Sequence, residues 1–206
     1  MLDETLSEQE QWDLVKQKVR ENYLWVLAGI ALAIAGISGY RWYQQRIENG
    51  LLAAARQYDQ VLVAYGKNDL AAALQLSDEL NRDHKGTGYA EQSVLLIARL
   101  QLANNQHAQA LEKLQQLMAA TSDKELALLA RLRAARIQLD QNKPDDALTM
   151  LAGAAAGAYA ASFAEVRGDA LYAKGDKAAA LKAYQEAQAA GQGVDGELLK
   201  LKIGAI

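Results

Sequence analysis

Histidines and carboxylates are the side chains of this chain that could support catalysis or metal binding. The sequence has two histidines, His84 and His107, and neither has a partner at the spacing of zinc ligands. Asp145 and Asp146 directly follow Pro144, an order typical of the first turn of a helix, where carboxylates favour the positive end of the dipole. Cysteine is absent, which excludes disulfides and thiolate metal sites.

Phosphate-binding loops and catalytic triads are not indicated either. Gly191 and Gly193 lack the preceding strand and the Lys-Ser/Thr pair of a phosphate-binding loop. No serine, histidine and aspartate stand at a spacing typical of a hydrolase. We therefore expect no enzymatic activity, no cofactor and no metal site; a metal or nucleotide bound to the purified protein would contradict this expectation.

The composition favours helices and argues against a nucleic-acid partner. Alanine and leucine dominate the 206 residues, and proline and phenylalanine each occur once, whereas sheets usually hold more β-branched and aromatic side chains. The formal net charge is −3, and residues 1–22 hold all of it. No basic face typical of nucleic-acid binders is indicated. The sequence predicts an all-α fold behind a short acidic tail.

An uncharged apolar segment near the N-terminus is long enough to cross a membrane. Residues 23–40 read YLWVLAGIALAIAGISGY. They would form about 27 Å of helix at roughly 1.5 Å per residue, close to a hydrocarbon core of about 30 Å. Aromatic residues typical of the two headgroup zones stand at both ends, namely Tyr23, Trp25, Tyr40, Trp42 and Tyr43. We predict a transmembrane anchor at residues 23–41.

A cleaved signal peptide is the rival interpretation of this segment, because Ala33-Ile34-Ala35 resembles a cleavage site. The apolar run exceeds the usual length of about 7–15 residues, and a long acidic tail precedes it, so we favour the anchor. The orientation of the segment is not decided by its flanking charges, because basic residues stand at both of its ends in nearly equal number. Since a long C-terminal domain is translocated largely regardless of its charge, we place the tail, residues 1–22, in the cytoplasm.

Four stretches of the remaining chain share one pattern. They are KNDLAAALQL from Lys67, NNQHAQALEKL from Asn104, QNKPDDALTML from Gln141 and KGDKAAALKAY from Lys174. Each stretch has a turn residue, and an alanine-leucine pair begins five positions after it. The four pairs are Ala73-Leu74, Ala110-Leu111, Ala147-Leu148 and Ala180-Leu181. The spacings of 37, 37 and 33 residues are typical of stacked helical hairpins, in which a small residue lets the second helix approach the first.

The last unit carries most of a tetratricopeptide signature. The matching positions are Ala164, Gly168, Leu171, Gly175, Ala180, Tyr184 and Ala187. The unit departs from the signature at Arg167, where leucine is usual, and at Gln192, where the terminal proline would stand. We predict a tetratricopeptide-like domain at 42–206, with about four hairpins and a capping helix near 197–203; the alternative is an irregular helical bundle.

Local residue types indicate where some helices begin and continue. Ser122 and Glu125 have the spacing of a capping box, and Pro144 stands where a helix begins without needing its N–H group. No glycine-serine linker follows the apolar segment, so we expect Gln44–Tyr65 to continue the membrane helix into the first repeat.

A hairpin stack presents a concave surface lined mainly by the first helix of each pair. The tetratricopeptide frame assigns these residues to it, here called the candidate groove: Gln92, Leu95, Arg99, Leu102, Leu129, Leu132, Arg136, Leu139, Ser162, Glu165, Asp169 and Tyr172. The leucines would bury apolar parts of a bound peptide, and Arg99 and Arg136 would bind its polar groups bidentately. The alternative is that the leucines belong to the core and the arginines are solvated charges.

The whole chain resembles the YfgM family, ancillary subunits of the bacterial Sec translocon. The most specific likenesses are Arg41-Trp42-Tyr43, the segment Arg167–Lys177 and the terminus Lys200–Ile206. The resemblance implies a bacterial inner-membrane protein with its repeat domain in the periplasm, beside the SecYEG channel and the membrane-anchored chaperone PpiD. It implies hand-over of translocated polypeptides to periplasmic chaperones and a regulatory role at the cytoplasmic face, and it carries no catalytic motif.

The expected partners are therefore SecYEG, PpiD, translocating polypeptides and membrane lipid, with no nucleic acid. Gly29 and Gly36 stand seven residues apart and share a helix face that would permit close contact with a membrane helix of the channel. The alternative function is a membrane-anchored structural adaptor for other proteins of cell-envelope assembly. Selective binding of one folded partner, without affinity for unfolded chains, would favour that alternative.

Overall fold

The computed structural model describes residues 8–154, 156–191 and 193–206, and for side chains it begins at Trp12. Residues 1–7 of the predicted tail, and Gln192, therefore lie outside the described residues. The α-helices are α1 (Glu8–Glu21), α2 (Tyr23–Gly66), α3 (Leu70–Asp83), α4 (Gly88–Ala103), α5 (His107–Ala120), α6 (Lys124–Asp140), α7 (Pro144–Leu151), α8 (Ala160–Ala173), α9 (Lys177–Ala190) and α10 (Gly196–Gly204). A 3₁₀ turn at Gly157–Tyr159 precedes α8. The predicted all-α fold is confirmed.

The chain divides into two units, Met1–Leu52 and Ala53–Ile206. In the first unit α1 ends at Glu21, and the Asn22 side chain donates a 3.0 Å hydrogen bond to the carbonyl oxygen of Lys18. Helix α2 then runs without interruption from Tyr23 to Gly66, as expected for Gln44–Tyr65. Its first part is long and apolar enough to cross a membrane, and its side chains there are exposed.

The turns between paired helices adopt the left-handed conformation. The φ angles are 55° at Asn68, 58° at Asn105, 58° at Asn142 and 84° at Gly175. The next residue donates its N–H back across the turn each time, as Asp69 does to the carbonyl oxygen of Ala64 at 3.0 Å. This bond occupies a carbonyl group that the ending helix leaves free. The repeated asparagine or glycine is therefore a helix terminator.

The alanine of each predicted repeat is buried in the core between helices. Ala73, Ala110, Ala147 and Ala180 are each 0% exposed. Ala73 of α3 packs with Ala54 and Val61 of α2, and the other three occupy the same place in their hairpins. The alanine therefore recurs in the sequence because a small side chain is needed where the paired helices pack together.

Among the described residues of the second unit, the core consists of four clusters. Each cluster joins the two helices of one hairpin to the first helix of the next: α2, α3 and α4 in the first, α4 to α6 in the second, α6 to α8 in the third. The fourth cluster joins α8 and α9 to α10 through Leu199. Helix α10 therefore takes the place of a further hairpin's first helix, as expected of a capping helix.

The two predicted helix starts have different outcomes. Pro144 is the first residue of α7, as predicted. The expected capping box at Ser122 is wrong by one residue, because Asp123 caps α6 and its Oδ1 accepts from the N–H groups of Glu125 at 2.9 Å and Leu126 at 3.1 Å. A carboxylate at this position accepts both bonds and also interacts favourably with the helix dipole.

Candidate functional site

The candidate groove lies on the first helices of three successive hairpins, α4, α6 and α8. Its members differ in accessibility. The exposed members are Gln92, Arg99, Arg136 and Tyr172, and the half-buried members are Leu102, Leu129, Leu139 and Asp169. The other four, Leu95, Leu132, Ser162 and Glu165, are buried.

Leu95 and Leu132 belong to the core and not to an open surface. They are 8% and 2% exposed. Leu95 packs with residues of α5 and α6, and Leu132 packs with residues of α7 and α8. Both side chains pack in the contact with the following hairpin, so we correct their assignment: they are core residues and are not available to a ligand.

Three predicted groove residues of α8 are covered by the C-terminal segment. Ser162 donates its hydroxyl to the carbonyl oxygen of Gly193 at 2.7 Å, and the Lys202 ammonium lies 2.8 Å from a carboxylate oxygen of Glu165 and 2.8 Å from one of Asp169. Ser162 and Glu165 are consequently 5% and 7% exposed. In α8 only Tyr172 remains an exposed groove residue.

Asp169 also binds the second helix of its hairpin. The Tyr184 hydroxyl donates to Asp169 Oδ1 at 2.8 Å, and the Lys202 ammonium lies 5.7 Å from the centre of the Tyr184 ring. We call Glu165, Asp169, Tyr184 and Lys202 the C-terminal latch. Burial, followed by the hydrogen bond to Asp169, raises the pKa of Tyr184. Burial by itself would lower the pKa of Lys202, but hydrogen bonds to Asp169 and Glu165 outweigh it and raise that pKa.

Positive charge gathers in the middle of the groove. Arg133 of α6 is half-buried, and the pKa of its guanidinium is lowered by burial and then by the positive charge of Arg99. Arg136 lowers it further, whereas Tyr159 and Tyr65 act in the opposite direction. We call Arg99, Arg133 and Arg136 the basic cluster. Sequence reasoning missed Arg133, although its position one turn before Arg136 on the same helix was a usable signal.

Only one member of the basic cluster has an acidic partner among the side chains that the structure describes. A guanidinium nitrogen of Arg136 lies 3.9 Å from Glu165, and that carboxylate is already bound by Lys202. Arg99 and Arg133 form neither an ion pair nor a side-chain hydrogen bond within those residues. The cluster therefore holds unneutralised positive charge.

A pocket of about 630 Å³ lies between α6, α8 and α10. Arg136 and Lys202 line it together with four carboxylates, those of Asp140, Glu165, Asp169 and Asp195. The groove thus changes character along its length, from positive near Arg99 and Arg133 to predominantly acidic at α10. This polarity restricts which ligand charge each end can accept.

The predicted contact face of the membrane helix lies in the first unit. Gly29 and Gly36 are both in α2, and a Cβ atom built on either would meet no atom within 4 Å. Seven residues at about 100° each bring them to within about 20° of the same direction. They leave an open strip on which another helix can pack closely.

Comparisons with known proteins agree with this architecture. A family model described as "Tetratricopeptide repeat-like domain" matches residues 16–206. A relative from Aggregatibacter actinomycetemcomitans is 28% identical over 199 residues, 97% of each chain. One from Escherichia coli K12 is 29% identical over 181 residues, 87% of this chain and 86% of the relative.

A third relative, from Haemophilus influenzae, is 24% identical over 199 residues, 97% of each chain. All three relatives bear the name "Ancillary SecYEG translocon subunit". The resemblance to the YfgM family is thereby confirmed over nearly the whole chain. With helical hairpins, left-handed turns and a family match across 16–206, the chain belongs to the tetratricopeptide repeat-like domain family, as a homologue of the ancillary SecYEG translocon subunits.

Proposed function

We propose that this chain is an ancillary subunit of the SecYEG translocon in the bacterial inner membrane and that it acts by binding, without catalysis. One observation carries the proposal: a helix of membrane-spanning length continues into a hairpin stack, in a chain similar over 97% of its length to a protein of that name. Residues 1–22 form the cytoplasmic tail, 23–41 the anchor and 42–206 the periplasmic domain.

The anchor docks against a membrane helix of the channel through the face of Gly29 and Gly36. In lipid, close van der Waals packing between helices contributes much of the association free energy, so small residues favour contact. No glycine-serine linker follows the apolar segment in the sequence, so the repeat domain is tethered close to the membrane. The domain remains near the exit of the channel.

The open part of the candidate groove binds a polypeptide, either a translocated chain or the chaperone PpiD. Leu102 and Leu139 are half-buried and offer apolar contact, while Arg99 and Arg136 offer bidentate hydrogen bonds to carboxylates. A shallow groove that combines a few apolar and charged contacts binds and releases quickly, which suits transfer of a client to a downstream chaperone.

Site-specific photocrosslinking in cells tests both contacts. Probes replace Gly36 in the anchor and, in separate variants, Arg99 and Arg136 in the groove; a probe at the exposed Lys182 of α9 is the control. We expect the anchor probe to capture SecY and the groove probes to capture PpiD or exported chains. Capture of lipid alone by the anchor and of one unrelated folded protein by the groove would favour the envelope-adaptor alternative.

A matched pair of anchor variants tests the docking face. Gly36→Leu adds bulk to the proposed contact, whereas Ala31→Leu adds an apolar side chain on roughly the opposite side of α2. Gly36→Leu should recover several-fold less translocon in a pull-down, and Ala31→Leu should match the parent. Equal recovery by both variants would mean that this face does not dock.

Labelling of single cysteines tests the topology. The chain has no cysteine, so Asp13→Cys and Lys182→Cys each provide one labelling site. A membrane-impermeant maleimide should label Lys182→Cys in intact spheroplasts and Asp13→Cys only after lysis. The reverse pattern would place the repeat domain in the cytoplasm and would remove the proposed exit-side role.

A further inference from the structure

We propose that the basic cluster binds carboxylates and that the groove therefore selects an acidic segment of extended polypeptide. This inference rests on the proposed function, since it names the chemistry of the partner that the groove takes. Arg99, Arg133 and Arg136 supply the binding groups, and the half-buried Leu102 and Leu139 supply apolar contact beside them.

Unneutralised like charges are the first observation behind this proposal. Arg133 lies one turn before Arg136 on α6, and Arg99 occupies the position equivalent to Arg136 on α4. Among the described side chains only Arg136 of these three has an acidic neighbour, at 3.9 Å. Like charges held close on a partly buried surface repel one another. A bound carboxylate would relieve this repulsion and accept bidentate guanidinium bonds, so the free protein is prepared for an anionic ligand.

The polarity of the groove is the second observation. Four carboxylates line the pocket beside α10, and Lys202 is already bound to Glu165 and Asp169. The carboxylates of that pocket repel an acidic ligand on the α10 side of Arg136, whereas Arg99, Arg133 and Arg136 attract it. The ligand's charges are therefore confined to the middle of the groove.

The repeat geometry predicts the spacing of those charges. Arg99 and Arg136 occupy equivalent positions 37 residues apart on successive first helices, and packed helix axes lie about 8–10 Å apart. An extended chain advances roughly 3.3 Å per residue, so acidic residues three positions apart would each face one arginine. We expect the groove to favour the pattern acidic-x-x-acidic with apolar residues nearby.

Fluorescence anisotropy with a defined peptide tests the inference on the purified full-length chain. The probe is a neutral-dye-labelled extended peptide of about twelve residues with leucines and two glutamates three positions apart. One control peptide carries glutamine for both glutamates, and another places the glutamates next to each other. We expect the spaced acidic peptide to bind about tenfold more tightly than the glutamine peptide and to weaken as salt rises.

Protein variants identify the site of this selectivity. Arg99→Gln with Arg136→Gln should reduce the tenfold preference to about twofold or less, whereas Lys182→Gln on α9 should leave it unchanged. Arg133→Lys retains the charge while it removes bidentate geometry, so it should lose part of the preference. Circular dichroism melting of every variant confirms that the hairpin stack is folded.

The outcomes separate the inference from the proposed function. Equal binding of the acidic and glutamine peptides would overturn acid selection while the groove still bound polypeptide. If none of the peptides bound, both acid selection and the proposed binding of polypeptide by the groove would be overturned. A preference that survives in the double arginine variant would assign the acidic ligand to another surface.

Discussion

A Cβ atom on Gly168 would lie 2.5 Å from Cδ1 of Tyr184, so the Tyr184 ring of α9 occupies the space that a side chain at Gly168 of α8 would need. Tyr184 is 3% exposed, and its ring atoms Cδ1, Cε1 and Cζ lie nearest to the position of that Cβ atom. Its hydroxyl then reaches Asp169 on the next residue of α8. Gly168 and Tyr184, sixteen residues apart, therefore pack against each other as a pair and join the two helices of the fourth hairpin.

Gly168→Ala should lower the free energy of unfolding by about 1–3 kcal/mol, because the methyl group must displace an aromatic ring. The higher helix propensity of alanine offsets only about 1 kcal/mol of that cost. Chemical denaturation in one detergent, followed by circular dichroism, measures the change. Gly88→Ala is the control, since a Cβ there meets no atom within 4 Å; equal destabilisation by both variants would refute the packing argument.

The left-handed turn at Asn105 predicts opposite effects of two small substitutions. Its φ of 58° costs a residue with a Cβ roughly 1 kcal/mol, less for asparagine and least for glycine. Asn105→Ala should therefore lower the thermal midpoint by a few degrees, and Asn105→Gly should preserve or raise it. The opposite order would show that the asparagine side chain, and not the backbone conformation, maintains this turn.

The C-terminal latch predicts a loss of stability in alkali. Tyr184 and Lys202 both have a higher pKa in the folded chain than their ordinary values of 10.0 and 10.5. Their contribution is complete below pH 10, and it is lost above that pH because the unfolded chain releases these protons more readily. The free energy of unfolding should therefore fall as the pH rises above about 10, and less steeply in Tyr184→Phe. A parallel slope in that variant would exclude Tyr184 as a source.

Leu199 predicts how α10 is attached. This side chain is 1% exposed, whereas Leu201 on the same helix is 71% exposed. Leu199→Ala should cost about 2–4 kcal/mol, enough to release a nine-residue helix that is marginal by itself. Hydrogen exchange should then accelerate throughout α10 while α4–α6 stay protected. Leu201→Ala should exchange like the parent, and similar exchange in both variants would show that another contact holds α10.

The features that were predictable from sequence depend on contacts close along the chain. Asn105 and its equivalents end a helix through their backbone conformation, and Ala110 and its equivalents allow close helix packing through their small size. Both kinds of residue recur within about forty residues along the chain, so the sequence pattern reveals them. The burial of Leu132 was not predictable in this way, because it depends on how the next hairpin packs. The tetratricopeptide frame gives the direction of a side chain but not what covers it.

The C-terminal latch is a second case in which the repeat frame did not show what covers a side chain. Glu165 and Asp169 stand at positions that are open in an uninterrupted stack, and Lys202 covers them from 37 and 33 residues away. No local pattern links these residues. Arg133 is different: its spacing from Arg136 was visible, but the frame assigned only one arginine of α6 to the groove.

Helix α10 also limits how far the stack can extend. A row of hairpins is a one-dimensional lattice whose last unit presents the same apolar surface that received each earlier unit. Leu199 fills that surface in the fourth cluster, and Lys202 pairs with the carboxylates of α8. Because α10 covers this surface, the end of the stack offers a second molecule less apolar area, and end-to-end association of chains is disfavoured there.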